Sequence, residues 1–413
     1  MPFFASLTGT PFLFSFQVNN GYIDIQVLDS RIAALQARRE TRPFARKLSA
    51  TEAELSMFLE RLPVPVSLAT CTPKDVLRFL AWKDTSGSGK TQVHDLECEH
   101  LGRDGIFACD CQCRLSAGYV KNILVRLKMV FKTVGRGDTW DGPENSGNPA
   151  CAQEVKDFLA AVKDEQCQSH VAPKQATPMS VEKVKRLCTY LTRELNIDGL
   201  ELGQRFLLLR DRAFFCLQFF IGERGGDLSG LLLQEIRRLP DDSGLVMRQT
   251  YGKQRTEKVV VVKRCTDLDV CPVRALDEYI GGCRDMGVSL QVGYVFRKTS
   301  GSDIVSADNV SQDSVSKRLR LHLSNIGLYA GETTHSIRGG CAVSLHLAGV
   351  GNEQAMEHVG WKSQESWELY SRSRGFQSLQ AADTLSKLMG SGQCEPDKYQ
   401  AINFQSLPLA YNN

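Results

Sequence analysis

His335 and Arg338 stand three residues apart near the start of THSIRGGCAVSLHLAGVGNEQAMEHVGWKSQESWELY, a stretch that ends on Tyr370. Thr333 or Thr334 is a good N-cap, and Ile337, Ala342, Leu345 and Ala348 form an apolar stripe. The spacing therefore predicts a helix whose first turn carries both cations on one side. A helix N-terminus attracts anions and disfavours added cations, so an anionic ligand or partner would explain a basic pair there. The plain alternative is a capped core helix with a stray arginine.

Two more cations belong to the same argument. Arg224 lies in GERGGDLSGLLLQEI, where Gly222, Gly225 and Gly226 read as a tight turn and Asp227 as the cap of the next helix. Lys253 sits in YGKQRTE, the turn of a β-hairpin read between GLVMRQT and KVVVV. Surface hairpins commonly carry lysines, yet such a turn can also deliver an ammonium to a site.

A second constellation is His94, Cys98, His100, Cys109, Cys111 and Cys113, packed into 20 residues. One four-coordinate structural zinc is expected on His94, Cys98, Cys109 and Cys111, with Cys113 able to replace one of them. Reduced, unligated thiols are the alternative, because C-x-C is less usual than C-x-x-C. The next segment, 114–137, carries Arg114, Lys121, Arg126, Lys128, Lys132 and Arg136 with no acidic residue. Val120, Ile123, Leu124, Leu127 and Phe131 make its apolar stripe. A solvated face is one reading; a helix laid along a phosphate backbone suits the single sign of charge better.

Around these residues the 413-residue chain is too long for one core. An arm is expected over 1–45, a helical domain over 46–172 with the Cys/His-rich insert at 94–113, a Pro- and Gln-rich linker over 173–180, a second domain over 181–390 and a polar tail over 391–413. The 50 basic and 47 acidic residues leave a net charge of +3, so any nucleic-acid surface must be local. Fourteen cysteines, no basic leader ahead of the apolar MPFFASLTGTPFLFSF and no membrane-length run point to an intracellular protein without a membrane partner.

Taken in order, Arg224 in R-x-x-D-L, Lys253 in a GK hairpin, His335-x-x-Arg338, Gly360-Trp361 and Tyr370 resemble the tyrosine recombinase or integrase family. The 26 residues from His335 to Trp361 and the nine from Trp361 to Tyr370 look like that family's spacing. Many members have histidine where Trp361 stands, and His358 is the nearby rival. The Cys/His-rich insert looks more like the Crypton- or DIRS-type recombinases of eukaryotic mobile elements.

The resemblance implies a mainly α fold with a small antiparallel sheet, in which a helical core-binding domain precedes an α+β catalytic domain. It implies strand cleavage and rejoining through a 3′-phosphotyrosyl link, with no nucleotide and no catalytic metal. Tyr370 would be the nucleophile, and Arg224 and Arg338 would grip the phosphate oxygens. His335 would handle a proton, Lys253 would protonate the leaving 5′ oxygen and Trp361 would donate a hydrogen bond.

Partners implied are double-stranded DNA and further copies of the chain, a dimer on one site and a tetramer in synapsis. The apolar face of QSLQAADTLSKLM (Leu379, Ala382, Leu385, Leu388) would reach another protomer. Such a protein works in the nucleus if eukaryotic, or in the bacterial cytoplasm. A non-cleaving DNA-binding protein of the same ancestry and a type IB topoisomerase-like nicking-closing enzyme are the competing readings.

Overall fold

The structure, a computed structural model, describes residues 25–40, 43–85, 90–103, 106–171, 176–249, 257–300 and 304–371. Lys253 and the segment from 376 onward, expected to hold a site residue and a protomer contact, lie outside them. The chain is mainly helical with small antiparallel sheets, and it divides into two compact units, Met1–Pro173 and Lys174–Asn413.

The first unit runs α1 (Ile25–Glu40), α2 (Pro43–Glu60), α3 (Pro73–Thr85), β1 (Lys90–Gln92), β2 (Cys113–Leu115), α4 (Ala117–Thr133), β3 (Trp140–Asp141), β4 (Ser146–Gly147) and α5 (Gln153–Gln168). Helix α4 starts where Ser116 accepts the Tyr119 N–H, a local N-cap that satisfies one orphan donor. Its stripe of Val120, Ile123, Leu124, Leu127 and Phe131 is buried against Leu55, Leu59, Val76, Phe79 and Leu80. The Cys/His-rich insert leaves and re-enters through antiparallel β1 and β2, with Gln92 opposite Cys113. Buried Gln166 of α5 accepts the Ala117 N–H and donates to Leu115 O, both at 2.9 Å, which fastens α5 to the junction of β2 and α4.

The second unit runs α6 (Val181–Leu195), α7 (Leu202–Ile221), α8 (Gly225–Ser229), β5 (Ile236–Arg238), β6 (Gly244–Gln249), β7 (Lys258–Lys263), α9 (Pro272–Asp285), β8 (Arg297–Ser300), β9 (Ile304–Asn309), α10 (Gln312–Asn325), α11 (Thr334–Leu347), α12 (Asn352–Val359) and α13 (Gln364–Ser371). The hairpin β6–β7 pairs Leu245 with Val262 and Met247 with Val260, all four buried, and β5 completes the sheet. Helix α7 starts at Leu202, ahead of its densest apolar run, and Phe206 and Leu209 already lie on its buried face. At Gly340 a Cβ would lie 2.0 Å from Met179 O, so only glycine lets α11 pass this close to the strand-like entry to α6.

Wholly apolar burial is broken on α7 by Asp211. Its carboxylate meets Arg210 at 2.8 Å, Arg318 at 2.5 Å and His322 at 2.9 Å. Burial alone would push this carboxyl up, but Arg210, then His322 and Arg318, outweigh it and hold it below the usual carboxylate range. A carboxyl depressed in the fold contributes stability above its unfolded value of ~3.9, and that contribution is lost as pH falls below it. Asp211→Asn is expected to cost about 3–5 kcal/mol in denaturant titrations of the second unit, because it leaves buried Arg210 and half-buried Arg318 without their anion. A loss below about 1 kcal/mol would show the network to be dispensable.

Candidate active site and nucleic-acid interface

Of the residues that the sequence pattern orders along 224–370, Arg338, Trp361 and Tyr370 meet in the second unit with Arg224 near Arg338, while Lys253 lies outside the described residues. Helix α7 ends at Gly222, whose left-handed backbone (φ 60°) turns the chain sharply, and Glu223 and Arg224 follow. Arg224 is itself the N-cap of α8, the position expected for Asp227; Asp227 lies in the first turn, 3.4 Å from the Arg224 guanidinium. Thr333 caps α11 by accepting the His335 N–H, leaving His335 half-buried and carrying Arg338 inward on the same turn of helix. Gln218, fully buried, donates to Glu223 O at 3.1 Å and to Thr334 O at 3.0 Å, so one side chain ties the α7 turn to the start of α11.

Arg338 is 2% exposed. Its NH1 donates to Gly222 O at 2.5 Å and lies 3.7 Å from Glu223 Oε1, while its buried NH2 has no acceptor among the described residues. The guanidinium lies over the Trp361 ring, 4.7 Å from its centroid, and Tyr370 stacks on the same indole at 5.0 Å. Burial first, and then the Arg224 charge, lower the Arg338 pKa to about 10 against the opposing pull of Glu223. A charged guanidinium kept this far out of water is poised for an anion. Trp361 was expected to act through its N–H; what it presents to Arg338 and Tyr370 is its face. His358, the rival histidine, donates Nε2–H to Phe220 O at 2.7 Å and is lowered by burial, which makes it a neutral strut of α12.

Two residues of this pocket were missed in the sequence. Lys258 opens β7 and donates Nζ–H to Glu223 Oε2 at 2.8 Å and to Ile221 O at 3.1 Å; burial lowers its pKa, and Glu223 opposes that shift. Glu223 also accepts the Arg224 N–H at 3.0 Å. A carboxylate directly before Arg224 and a lysine closing the hairpin were the available signals.

In the first unit, His94, Cys98, Cys109 and Cys111 bring one ligand atom each to within 4.8 Å of one another. His94 Nδ1 lies 3.4 Å from Cys98 Sγ and 3.6 Å from Cys109 Sγ, close to the ligand–ligand edges of ~3.5–3.8 Å around tetrahedral zinc. Gln92 Nε2 donates to Cys109 Sγ at 3.1 Å and the His100 N–H to Cys98 Sγ at 3.4 Å, the kind of outer hydrogen bonds that support thiolates. His94 Nε2 is buried without a hydrogen-bond partner among the described residues. Cys113 stands in β2, outside this four-atom group.

The basic residues of 114–136 do not form one face. Lys132 pairs with Asp138 at 2.6 Å, Arg126 bonds its own helix at Asn122 O, and Arg114 lies in β2 opposite Thr91. Arg136 turns inward to Leu68 O and Cys71 O and lies over the Trp140 ring. Lys121 and Lys128 instead share a groove with Lys156 and Lys163 of α5, floored by Leu124, Val155 and Leu159. The α5 lysines escaped notice because Asp157, Asp164 and Glu165 alternate with them; their seven-residue step was the signal.

The ALOG domain family model matches residues 36–164, within the first unit. Protein LIGHT-DEPENDENT SHORT HYPOCOTYLS 5 of Arabidopsis thaliana is 28% identical over 143 residues, 34% of this chain and 71% of that protein. Protein LIGHT-DEPENDENT SHORT HYPOCOTYLS 2 of the same plant is 34% identical over 113 residues, 27% of this chain and 52% of that protein. Protein G1-like5 of Oryza sativa subsp. japonica is 33% identical over 113 residues, 27% of this chain and 51% of that protein. The chain thus spans about half the length of the latter two.

Among solved structures, XerH site-specific recombinase bound to difH substrate aligns with a TM-score of 0.49 and 15% identity, over 83% of this chain and 79% of that one. A lambda integrase dimer bound to a COC' core site gives 0.47 and 14%, over 85% and 78%. The Tn1549 transposon integrase with circular intermediate DNA gives 0.45 and 11%, over 82% and 94%.

Proposed function

We propose that this protein is a tyrosine recombinase or integrase that cuts and rejoins DNA through a 3′-phosphotyrosyl intermediate on Tyr370. Its first unit serves as the core-binding domain and its second as the catalytic domain. The observation that carries the reading is the buried, unpartnered NH2 of Arg338, held under Trp361 where Tyr370 stacks. A donor left without an acceptor in the interior is costly unless a ligand supplies one, and a phosphodiester oxygen is the acceptor that suits a guanidinium.

In this mechanism Arg338 and Arg224 offset charge on the five-coordinate phosphorus, and Tyr370 attacks as the phenolate oxygen displaces the 5′ oxygen. A phenol is a weak nucleophile at neutral pH, so His335 accepts its proton, and Lys253 returns one to the leaving oxygen. The energy of the broken linkage is kept in the phosphotyrosine, so neither nucleotide nor catalytic metal is required. Covalent transfer of labelled DNA to the full-length protein, resolved under denaturing conditions, tests the reading directly.

Structural zinc on His94, Cys98, Cys109 and Cys111 would fix the insert beside β2 and the start of α4. The groove of Lys121, Lys128, Lys156 and Lys163 would follow the DNA backbone. Replacing all four lysines by glutamine is expected to flatten the dependence of log K on log salt by about 3–4, since each neutralised phosphate contributes ~0.9. Fluorescence anisotropy over a salt series measures it, and an unchanged slope would remove the groove from the interface. If the protein is eukaryotic, a DNA substrate would be met in the nucleus, and the plant origin of the matched relatives supports that compartment over a bacterial cytoplasm. The synaptic assembly would be a tetramer built from two dimers.

A DNA-binding protein that no longer cuts is favoured by one observation. Arg338 is 2% exposed, lies against the Trp361 ring and faces Glu223, so surrounding side chains must shift before a phosphate can reach it. Covalent transfer decides between the two.

A further inference from the structure

A carboxylate is an unexpected neighbour for an arginine that is to bind phosphate. Glu223 is 4% exposed and stands in the turn between α7 and α8, amid Arg224, Lys258 and Arg338. Left to its charge alone, it would compete with the substrate for Arg338. The geometry prevents that. Oε1 accepts the Arg224 N–H and Oε2 accepts Lys258 Nζ–H, so both oxygens are engaged, and the 3.7 Å from Oε1 to Arg338 NH1 is too long for a hydrogen bond. Glu223 and Gly222 O instead form a negative wall on the NH1 edge of the guanidinium, and NH2 is left as the donor without a partner among the described residues.

We propose that Glu223 is a positioning residue of this pocket: it turns the NH1 edge of Arg338 toward the backbone and so leaves NH2 free to receive a phosphodiester oxygen. Lys258 is its anchor, because the ammonium bridges Glu223 to Ile221 O at the end of α7. The Lys258 stem passes under Gly360, where a Cβ would lie 3.3 Å from its Cδ, next to Trp361. The hairpin, the α7 turn and the Gly360-Trp361 turn are thereby referred to one carboxylate. This inference rests on the reading of the pocket as a phosphodiester site.

The test uses the full-length protein and a nicked duplex that it has itself selected from a randomised library. The linkage cut by the unaltered protein is made either as phosphate or as the uncharged methylphosphonate. Glu223→Gln is expected to slow adduct formation on phosphate by about 100-fold, the scale of losing one aligned donor to a developing charge, and to slow the methylphosphonate reaction far less. The preference for phosphate should collapse as it does in Arg338→Ala, while the Kd for DNA stays within about threefold because backbone contacts outside the pocket carry affinity.

If Glu223→Gln fails to fold with Lys258 left unpaired, the double variant Glu223→Gln/Lys258→Met removes both charges, and the same ratio is read there. An equal loss on both substrates, or no loss, overturns the positioning role while leaving the phosphotyrosine reading intact. An unaltered protein that forms no adduct overturns that reading and this inference with it.

Discussion

Tyr370→Phe is expected to abolish covalent protein–DNA adducts, a loss of at least ~10⁴-fold, and to leave DNA binding within about twofold. The phenol oxygen is the one atom in the mechanism with no substitute, whereas the ring itself, which stacks on Trp361 at 5.0 Å, is retained by phenylalanine. Arg338→Ala should behave differently. It removes the charge and empties a buried site between Gly222 O and Trp361, so adduct formation falls by about 10²–10³-fold and the fold loosens as well. A duplex nicked beside the cut lets the released fragment diffuse away and traps the intermediate. Peptide mapping of that adduct should place DNA on Tyr370. Attachment at another residue, or cutting by Tyr370→Phe, would sink the assignment; no adduct from any DNA would leave the non-cleaving reading standing.

Removing zinc should have the largest effect on stability. Structural zinc contributes an apparent ~10–16 kcal/mol in small zinc-stabilised domains, because the ligands have no preformed site in the unfolded chain. Here the insert between β1 and β2 has little apolar core of its own: Leu96 and Ile106 are exposed, and the two strands are three residues each. Chelation or Cys98→Ser should therefore release the protection of backbone amides across 90–115 from hydrogen exchange. The core of α2, α3 and α4, which packs around Leu55, Phe79 and Leu127, should persist. Elemental analysis should find one zinc per chain. Its absence, with exchange unaffected by chelator, would return these cysteines to the class of reduced thiols.

Much of the site was legible because its signals are local. A threonine N-cap with an apolar stripe set the helix that carries His335 and Arg338, and Gly222 marked the turn before Arg224. The candidate metal-ligand cluster was legible for the same reason: four donors within one short insert need only a loop to meet. The alternation in GLVMRQ and KVVVVK specified the hairpin that ends beside the pocket.

What the tertiary structure alone decided are matters of partnership across space. Composition assigns no role to Glu223 or Lys258, which acquire one only when α7, β7 and α11 meet and leave two cations around one buried carboxylate. Gln218 reads as a polar interruption of an apolar helix until its amide is seen to bridge Glu223 O and Thr334 O. The single-signed run after Arg114 looked like one basic face, yet Arg136 points into the protein and Lys132 is paired, while α5 supplies two lysines from a mixed-charge sequence. Sequence by itself determined which residues are candidates for the proposed chemistry and in what order they come, because caps, turns and hydrophobic periods act between near neighbours. Only the packed structure decided which charges are neutralised and which donor is left waiting, because Coulomb and desolvation energies depend on distance and burial rather than on position along the chain.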